Sequence, residues 1–513
     1  MSPRIWLVVP SLVSFAIYRA TLAPDLTWAH HGADGGDLLT AALTGGVPHP
    51  SGYPTYLLFL RGFLTLFSDA PAFGGNLFSA LSMSLALFFT ALSCAKVLKD
   101  LSAPTTASCF IAGVVTAIIG LGSTLWSQAV ITEVYGLHVL FTALLLYLTV
   151  RIKRGASMGG RDALWIGLAL GVGLGNHLSL ILTVPAIIVY AWLCRLRLSR
   201  WALLGLIGGS ALGLTVYGYL VYAARSNPPV NWGDPRDLPR LWWLVSGRVY
   251  QPLVFGFPLV WLPRRLSSWA SLLLDNLTLP GLALALFGLW WTQIRHRGLF
   301  GMVVTQAAMF SVYALGYDTA DSYVYLIPMY LAFALMMTVG AWVVGTEALR
   351  WGEAHGAAAC RLVVIGLTSA LVALPVVQAW RHWGEMDVSG DREAIEFAKE
   401  AFAVAEPNAL IITATDQPTF ALWYARYGLG MRPDVAIVNL NLYAFDWYRD
   451  TIARWHPDIV LMDRYAHPPD FEELLQVNME VRPVYLAELV ASPLGHYSAL
   501  RKGPLYRLLS PEP

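Results

Sequence analysis

Apolar stretches of membrane-crossing length recur along this chain, separated by short polar runs. The hydrocarbon core of a bilayer takes about 17–25 helical residues to cross. Runs of that kind lie near residues 5–23, 76–98, 107–126, 135–152, 162–179, 181–196, 201–223, 268–292, 299–316, 323–345 and 360–380. They predict about eleven transmembrane helices. A shorter run, 54–67, is interrupted by Arg61 and Gly62 and predicts a juxtamembrane helix lying in the interface. The first run continues to about Ala23 and carries Arg19, which predicts an uncleaved span in place of a signal peptide.

The polar segments between the runs alternate in character. RIKRGASMGGRD (151–162), RLRLSR (195–200) and IRHRG (294–298) are basic. The intervening segments HHGADGGD, TEVYG, NPPVNWGDPRD and GYDTADSY are rich in acids and aromatics. Positive charge marks the cytoplasmic side. The N-terminus is therefore expected inside, and an odd number of spans places the C-terminal part outside. From residue 384 the pattern changes. DREAIEFAKEAFAVAEP reads as an amphipathic helix, and 408–416, 434–440 and 458–463 read as buried strands. The chain thus divides at 383/384 into a transmembrane domain and an α/β domain, 384–513, large enough for its own core.

Composition supports the membrane reading. Hydrophobic residues make up 56% of the 513 and charged residues only 13%, about half the usual share for a soluble domain. A net charge of +1 gives no electrostatic case for nucleic acid. Cys94, Cys109, Cys194 and Cys360 lie in or beside apolar runs without metal-site spacing and read as small buried hydrophobes. No glycine-rich phosphate loop follows the first predicted strand, and no internal repeat is visible.

Unusual polar residues gather on one side of the membrane. ADGGDLLTAALTGGVPHPSGYPTY places Asp34, Asp37, His49 and Tyr53 in one loop. WSQAVITEVYGLH carries Glu133 and Tyr135, and GNHLS carries His177 at the outer end of a span. Arg225, Asn231 and Trp232 stand in or beside NPPVNWGDP, Arg248 follows, and GYDTADSY holds Asp318 and Asp321. Each alone has a plainer reading: a helix cap, a first-turn acid, a snorkelling arginine, a solvated turn. Together they describe an outward-facing cavity with carboxylates, a few cations and many aromatics beside lipid. Ionisable groups at the membrane are costly and tend to be functional. The set suits transfer of a group from a lipid-borne phosphate: a carboxylate takes the acceptor proton, a cation holds the departing phosphate, and aromatics hold sugar and polyprenyl chain.

TLAPDLTW, DGGDLLTAA, HPSGYPTYLL, WSQAVITEVYGLH, GNHLS, NPPVNWGDP and NALIITATDQPTFALWYARYGLGMRPDVAIVNL occur in this order. In these motifs the chain resembles the DUF2723 family, protein O-mannosyltransferase-like multi-pass membrane proteins of the GT-C glycosyltransferase superfamily. The resemblance implies a mostly α fold: a polytopic membrane helical bundle of GT-C type with about eleven transmembrane and several juxtamembrane helices. A small C-terminal α/β extracytoplasmic domain would complete it. It also implies a polyprenyl-phosphate-linked sugar donor, such as a mannose donor, and inversion at the anomeric carbon. Asp34 matches the first acid of the family's D-x-G-E-like motif, the expected base. Asp37 stands where the family usually has Glu, as partner of the base or binder of the acceptor, and Ser51 replaces a proline. His49, Arg225 and Arg248 are candidate phosphate contacts. Tyr53, Glu133, Tyr135, His177, Asn231, Trp232, Asp318 and Asp321 are candidate substrate-binding residues.

The expected partners are the lipid-linked donor, a protein, glycan or lipid acceptor, and membrane lipids. The expected location is an integral position in a bacterial inner membrane. Asp34, Asp37, Asp318 and Asp321 could share a divalent ion, but superfamily members with monophosphate donors work without one, so no cofactor is expected. Other readings stay open: a secondary transporter, a non-catalytic scaffold, or a ligase or polymerase with a diphosphate donor. Transporters usually show internal repeats and midplane charges, whereas the acids here cluster in outer loops.

Overall fold

The computed structural model describes residues 2–461, 471–489 and 497–509. All eleven apolar runs are helical, but they do not form eleven straight crossings. Five helical stretches are long and apolar enough to span a membrane unbroken: 71–100, 200–225, 297–316, 322–354 and 357–386. Two bent pairs bring the number to seven, and 5–21, 135–150 and 178–193 are shorter apolar helices. The expected interfacial segment forms helix α3 (Pro54–Leu64), started by a proline in its first turn.

The two bent pairs correct the sequence reading, and their breaks pack against each other. The run near 107–126 splits into α5 (Thr105–Gly120) and α6 (Ser123–Ala129), bent by 74°. The run near 268–292 splits into α13 (Leu262–Leu277) and α14 (Leu279–Arg295), bent by 99°. Thr278 turns the chain at φ 63° and its hydroxyl accepts from Gly281 N, while Pro280 fits the first turn of α14. The breaks meet. Asn276 Oδ1 accepts from Thr124 N at 2.9 Å, and its Nδ2 donates to Thr124 Oγ1 at 2.9 Å. Gln378 Nε2 donates to the Asp275 and Asn276 carbonyls at 2.9 and 3.0 Å. Backbone groups freed inside a membrane protein need such partners. Gly122 permits the approach, because a Cβ there would lie 2.7 Å from Asn276 Oδ1.

Small residues let two helices pack closely. Between α8 (Gly160–Leu174) and α10 (Arg200–Leu214), a Cβ at Gly167 would meet the Leu206 carbonyl at 2.3 Å, and one at Gly209 the Leu164 carbonyl at 2.4 Å. This is the small-residue packing of membrane bundles. At one end of this pair the basic loops join through a parallel ladder of β1 (Ser157–Met158) and β2 (Arg197–Leu198). Leu362, Ile365, Val376 and Trp380 of α17 (Ala357–Met386) point outward, as lipid-facing residues do.

After α17 the chain forms a five-stranded sheet. β3 (Leu410–Thr413), β4 (Ala436–Asn439) and β5 (Val484–Leu486) are parallel, and β6 (Ser498–Lys502) and β7 (Leu505–Leu509) form an antiparallel hairpin, in order β4-β3-β5-β7-β6. The first two strands sit where the apolar runs predicted them. The run 458–463 is not the third: 458–461 carry no strand, and 462–463 lie outside the described residues. Asn478 Oδ1 accepts from Val460 N, and its Nδ2 donates to Val460 O, so a side chain takes the place of a strand neighbour.

The α/β portion does not stand off on its own core. Phe420, Trp423 and Tyr424 share one apolar cluster with Leu38 and Leu39 of α2 (Asp34–Thr44) and with Tyr56 of α3. Tyr424 OH accepts from Ala72 N at 3.2 Å, and Trp455 Nε1 donates to Asn227 O at 3.0 Å. Replacing Asn276 with alanine strands the Thr124 amide in a buried site. A loss of about 1–3 kcal/mol is expected, read as a lowered melting temperature of the protein in detergent.

Candidate active site

The first turn of α2 carries both loop acids, three residues apart. Spacing of three brings side chains to neighbouring positions on a helix, yet the two carboxylates meet different surroundings. Asp37 is fully buried. Its Oδ2 accepts from His49 N at 2.8 Å and from His49 Nδ1 at 2.7 Å, and its Oδ1 accepts from Trp232 Nε1 at 3.2 Å. Three donors therefore neutralise a carboxylate that would be costly to bury alone.

Asp34 lies on the other side of the same imidazole. His49 Nε2 stands 3.4 Å from Asp34 Oδ2 and 3.1 Å from Tyr53 OH, which donates to the Pro50 carbonyl. The result is a line of carboxylate, imidazole, carboxylate. Burial alone would lower the His49 pKa, but Asp34 and Asp37 outweigh it and raise it to about 10. Near neutral pH the ring is an imidazolium donating from both nitrogens. Burial pushes Asp34 upward, against the pull of His49, to about 6. Its side chain keeps 38% of its exposure, and that exposure faces a cavity of about 390 Å³.

The cavity is walled by aromatics. Tyr53, Tyr135, His177, Tyr250, Tyr317 and Tyr325 line it, together with Asp34, His49, Asp321 and Asp416. His177 stacks on Tyr53, 6.1 Å between ring centres, and its Nδ1 lies 2.8 Å from Ser179 Oγ. Burial and the charge on His49 push its pKa down to about 4, so the ring is neutral.

Six of the thirteen residues expected from the sequence line this cavity: Asp34, His49, Tyr53, Tyr135, His177 and Asp321. Asp37 and Trp232 stand behind His49. Asn231 is buried in the supporting loop, where Nδ2 donates to Asp234 Oδ1 at 2.8 Å and the backbone bridges to Val47. Glu133 is buried below the surface, its Oε2 accepting from Val134 N at 3.1 Å. Burial and nearby Asp34 push its pKa well up. Asp318 pairs with Arg265 at 3.3 Å and lines an adjoining groove of about 910 Å³ with Arg264 and Arg381. Arg225 and Arg248 are exposed and do not reach the cavity lining. Among the described residues no lysine or arginine lines it, and no three of His, Cys, Asp and Glu could hold a metal ion.

The sequence reading missed Asp416 and the tyrosines at 313, 317 and 325, and noted Tyr250 beside Arg248 without a role. Asp416 had one signal, its place just after the end of a predicted strand. Tyr313 and Tyr317 stand four residues apart at the end of one helix and stack on each other, whereas Tyr250 and Tyr325 come from other elements.

Two family models match the chain. One, described as the protein O-mannosyl-transferase TMEM260 N-terminal domain, covers residues 34–199 and so begins at Asp34. The other, TMEM260-associated domain 2, covers 394–459 and so includes Asp416. The chain is similar to TMEM260. The protein O-mannosyl-transferase TMEM260 of Mus musculus is 26% identical over 480 residues, which is 88% of this chain and 65% of that protein. The chain thus spans a little under two thirds of that relative's length.

Among solved structures, ArnT from Cupriavidus metallidurans bound to undecaprenyl phosphate superposes with a TM-score of 0.58. Identity is 13%, over 98% of this chain and 97% of that one. The apo form gives 0.56 at 14% identity, with the same coverage. The fold is therefore a membrane helical bundle of GT-C type with a small C-terminal α/β portion, and the chain is an integral membrane protein.

Asp37→Ala removes the acceptor of three buried donors and leaves the His49 ring short of a counter-charge. A destabilisation of about 3–5 kcal/mol is expected, measured as a loss of thermal stability in detergent against an Asp34→Ala control that changes little.

Proposed function

We propose that this chain is a membrane glycosyltransferase that moves a sugar from a polyprenyl-phosphate donor to an acceptor hydroxyl on the extracytoplasmic side. The observation that carries the reading is Asp34: a carboxylate open to an aromatic-lined cavity and backed at 3.4 Å by an imidazolium anchored on a buried acid. The likeness to TMEM260 favours mannose as the sugar. ArnT binds undecaprenyl phosphate within the same fold, which favours a lipid monophosphate as the donor here.

On this reading Asp34 takes the proton from the acceptor hydroxyl as that oxygen bonds to the anomeric carbon. The bond from that carbon to the phosphate oxygen breaks, its electron pair leaves with the phosphate, and configuration inverts. The transition state carries oxocarbenium character, as in glycoside hydrolysis. A base poised near 6 is ionised at neutral pH yet still basic enough to draw a proton. Asp37 is a positioning residue that fixes the ring, and His49 keeps Asp34 aimed. Both nitrogens of His49 are already engaged, so it holds the base better than it would hold the phosphate. Tyrosine faces suit a sugar ring and an isoprenoid stem. Arg264 and Arg265 line the adjoining groove, across the wall formed by the 317–326 loop, and could hold the departing phosphate from there. The basic loops joined by β1 and β2 are proposed to face the cytoplasm.

Purified protein given radiolabelled polyprenyl-phosphate mannose should release or transfer the label. Asp34→Asn should slow this about 10²–10⁴-fold without loss of fold. A wild-type protein that is folded and turns over no such donor would sink the assignment. A transporter or scaffold would leave the Asn variant unimpaired in cells.

The pH profile follows from the sign of the Asp34 shift. The base is lost as pH falls through about 6, so the wild-type rate should drop about tenfold per pH unit below that point. A flat profile between pH 5 and 7 would exclude Asp34 as the base.

A further inference from the structure

The α/β portion contributes directly to the cavity. Its sheet has the order β4-β3-β5, with the first strand in the middle and later strands on either side. In parallel sheets of this kind ligands bind outside the carboxyl ends of the strands, where the connections diverge. Here those ends carry Ala414, Thr415 and Asp416 after β3, Asn441 after β4 and Glu488 after β5. They are braced on one another. Glu488 Oε1 accepts from Ala414 N and Thr415 N at 2.8 and 2.7 Å, and its Oε2 accepts from Thr415 Oγ1 at 2.9 Å. Asn441 Nδ2 donates to Ala414 O at 2.8 Å.

The braced crevice is pinned against the first turn of α2. Helix α19 (Asp416–Trp423) lies so close that a methyl on Gly36 would stand 2.4 Å from the Phe420 carbonyl oxygen. Phe420 stacks on the His49 ring, 6.4 Å between centres and 16° between planes, and also meets Trp232. This packing leaves the Asp416 side chain on the cavity wall, in the same hollow as Asp34. Among the described residues no hydrogen bond or ion pair occupies its carboxylate, although its neighbours are saturated. Thr319, on the same lining, has a buried hydroxyl with no partner among the described residues.

We propose that Asp416 binds the acceptor, accepting a hydrogen bond from a hydroxyl of the incoming molecule and so directing its reactive oxygen toward Asp34. This rests on the glycosyltransferase reading above. Charge decides the side of the reaction. A carboxylate beside the donor would repel its phosphate, whereas an uncharged polyhydroxyl or serine/threonine-bearing acceptor offers O–H donors to it. Placement agrees: the lipid-linked donor arrives from the helices in the membrane, and Asp416 belongs to the part that packs over them. Burial and the carboxylates nearby raise its pKa, while His49 opposes the rise. The chemistry of transfer is unchanged. Asp34 still takes the proton, and Asp416 only accepts a hydrogen bond.

The test uses membranes from cells lacking this chain, supplied with wild type, Asp416→Asn, Asp416→Glu or Asp34→Asn, and fed radiolabelled polyprenyl-phosphate mannose. Label reaching the endogenous acceptor is counted, and affinity for the same labelled donor is measured on each purified, folded protein. A hydrogen bond to a charged group is worth about 1.5–3 kcal/mol. Asp416→Asn should therefore lose transfer by about tenfold or more while donor affinity stays within about twofold, and Asp416→Glu should recover part of the loss. Wild-type transfer by Asp416→Asn would overturn the proposal, as would a parallel loss of donor affinity. If wild type itself neither binds nor transfers the donor, the glycosyltransferase reading falls and this inference falls with it.

Discussion

A single buried carboxylate organises the outer face of this molecule. Asp37 has no exposure to water and accepts three hydrogen bonds, two from His49 and one from Trp232. A charge in that position is tolerable only because its donors are fixed, and fixing them locks two loops far apart in sequence. His49 is tied back onto α2, and the Trp232 loop is tied beneath it. Everything that makes the cavity chemically interesting follows. The imidazole faces Asp34 because Asp37 holds its other nitrogen. Phe420 finds a flat ring to stack on, and the helix that carries Phe420 packs against the site.

The same economy governs the membrane portion. Two helices break where straight spans would be expected, and each break frees backbone groups that lipid cannot satisfy. They are satisfied because the breaks face each other, with Asn276 serving Thr124 and Gln378 serving the carbonyls of 275 and 276. The bend at Thr278 turns α13, with its Arg264 and Arg265, sharply away from the direction of α14. Those arginines thereby line a groove that shares the 317–326 loop with the aromatic cavity. One loop thus forms a wall of both a cationic groove and an aromatic cavity.

Much of this was legible in advance where the physics is local. Long apolar runs in this chain favour helix in a bilayer, so every predicted span is helical, two of them as bent pairs. The alternation of basic and acidic loops sets an expected orientation by a rule that acts on each loop separately. Asp34 and His49 stood out because ionisable residues packed around prolines and glycines beside a membrane are costly without a purpose. The misreadings arose where distant parts decide. The 268–292 run is apolar enough to pass as one span, and only Thr278 with Pro280, and a partner for Asn276, make it two helices. The 458–463 run has the composition of a strand, but Asn478 takes the hydrogen bonds of Val460. Arg225 and Arg248 have the right charge for a phosphate and lie outside the lining.

The sequence by itself determined that the chain is a helical membrane protein with an α/β end, and which loop would bring two acids together beside a membrane helix. Period, length and charge asymmetry act within a few residues and need no knowledge of neighbours. Tertiary structure alone decided how two similar aspartates, three residues apart, part company. Asp37 becomes a buried anchor and Asp34 an open, shifted carboxyl, because His49 folds back between them from twelve residues beyond Asp37. It also decided that Asp416, 382 positions after Asp34, shares the same hollow. Proton affinity and reach depend on which groups surround a side chain in space, and no local pattern encodes that.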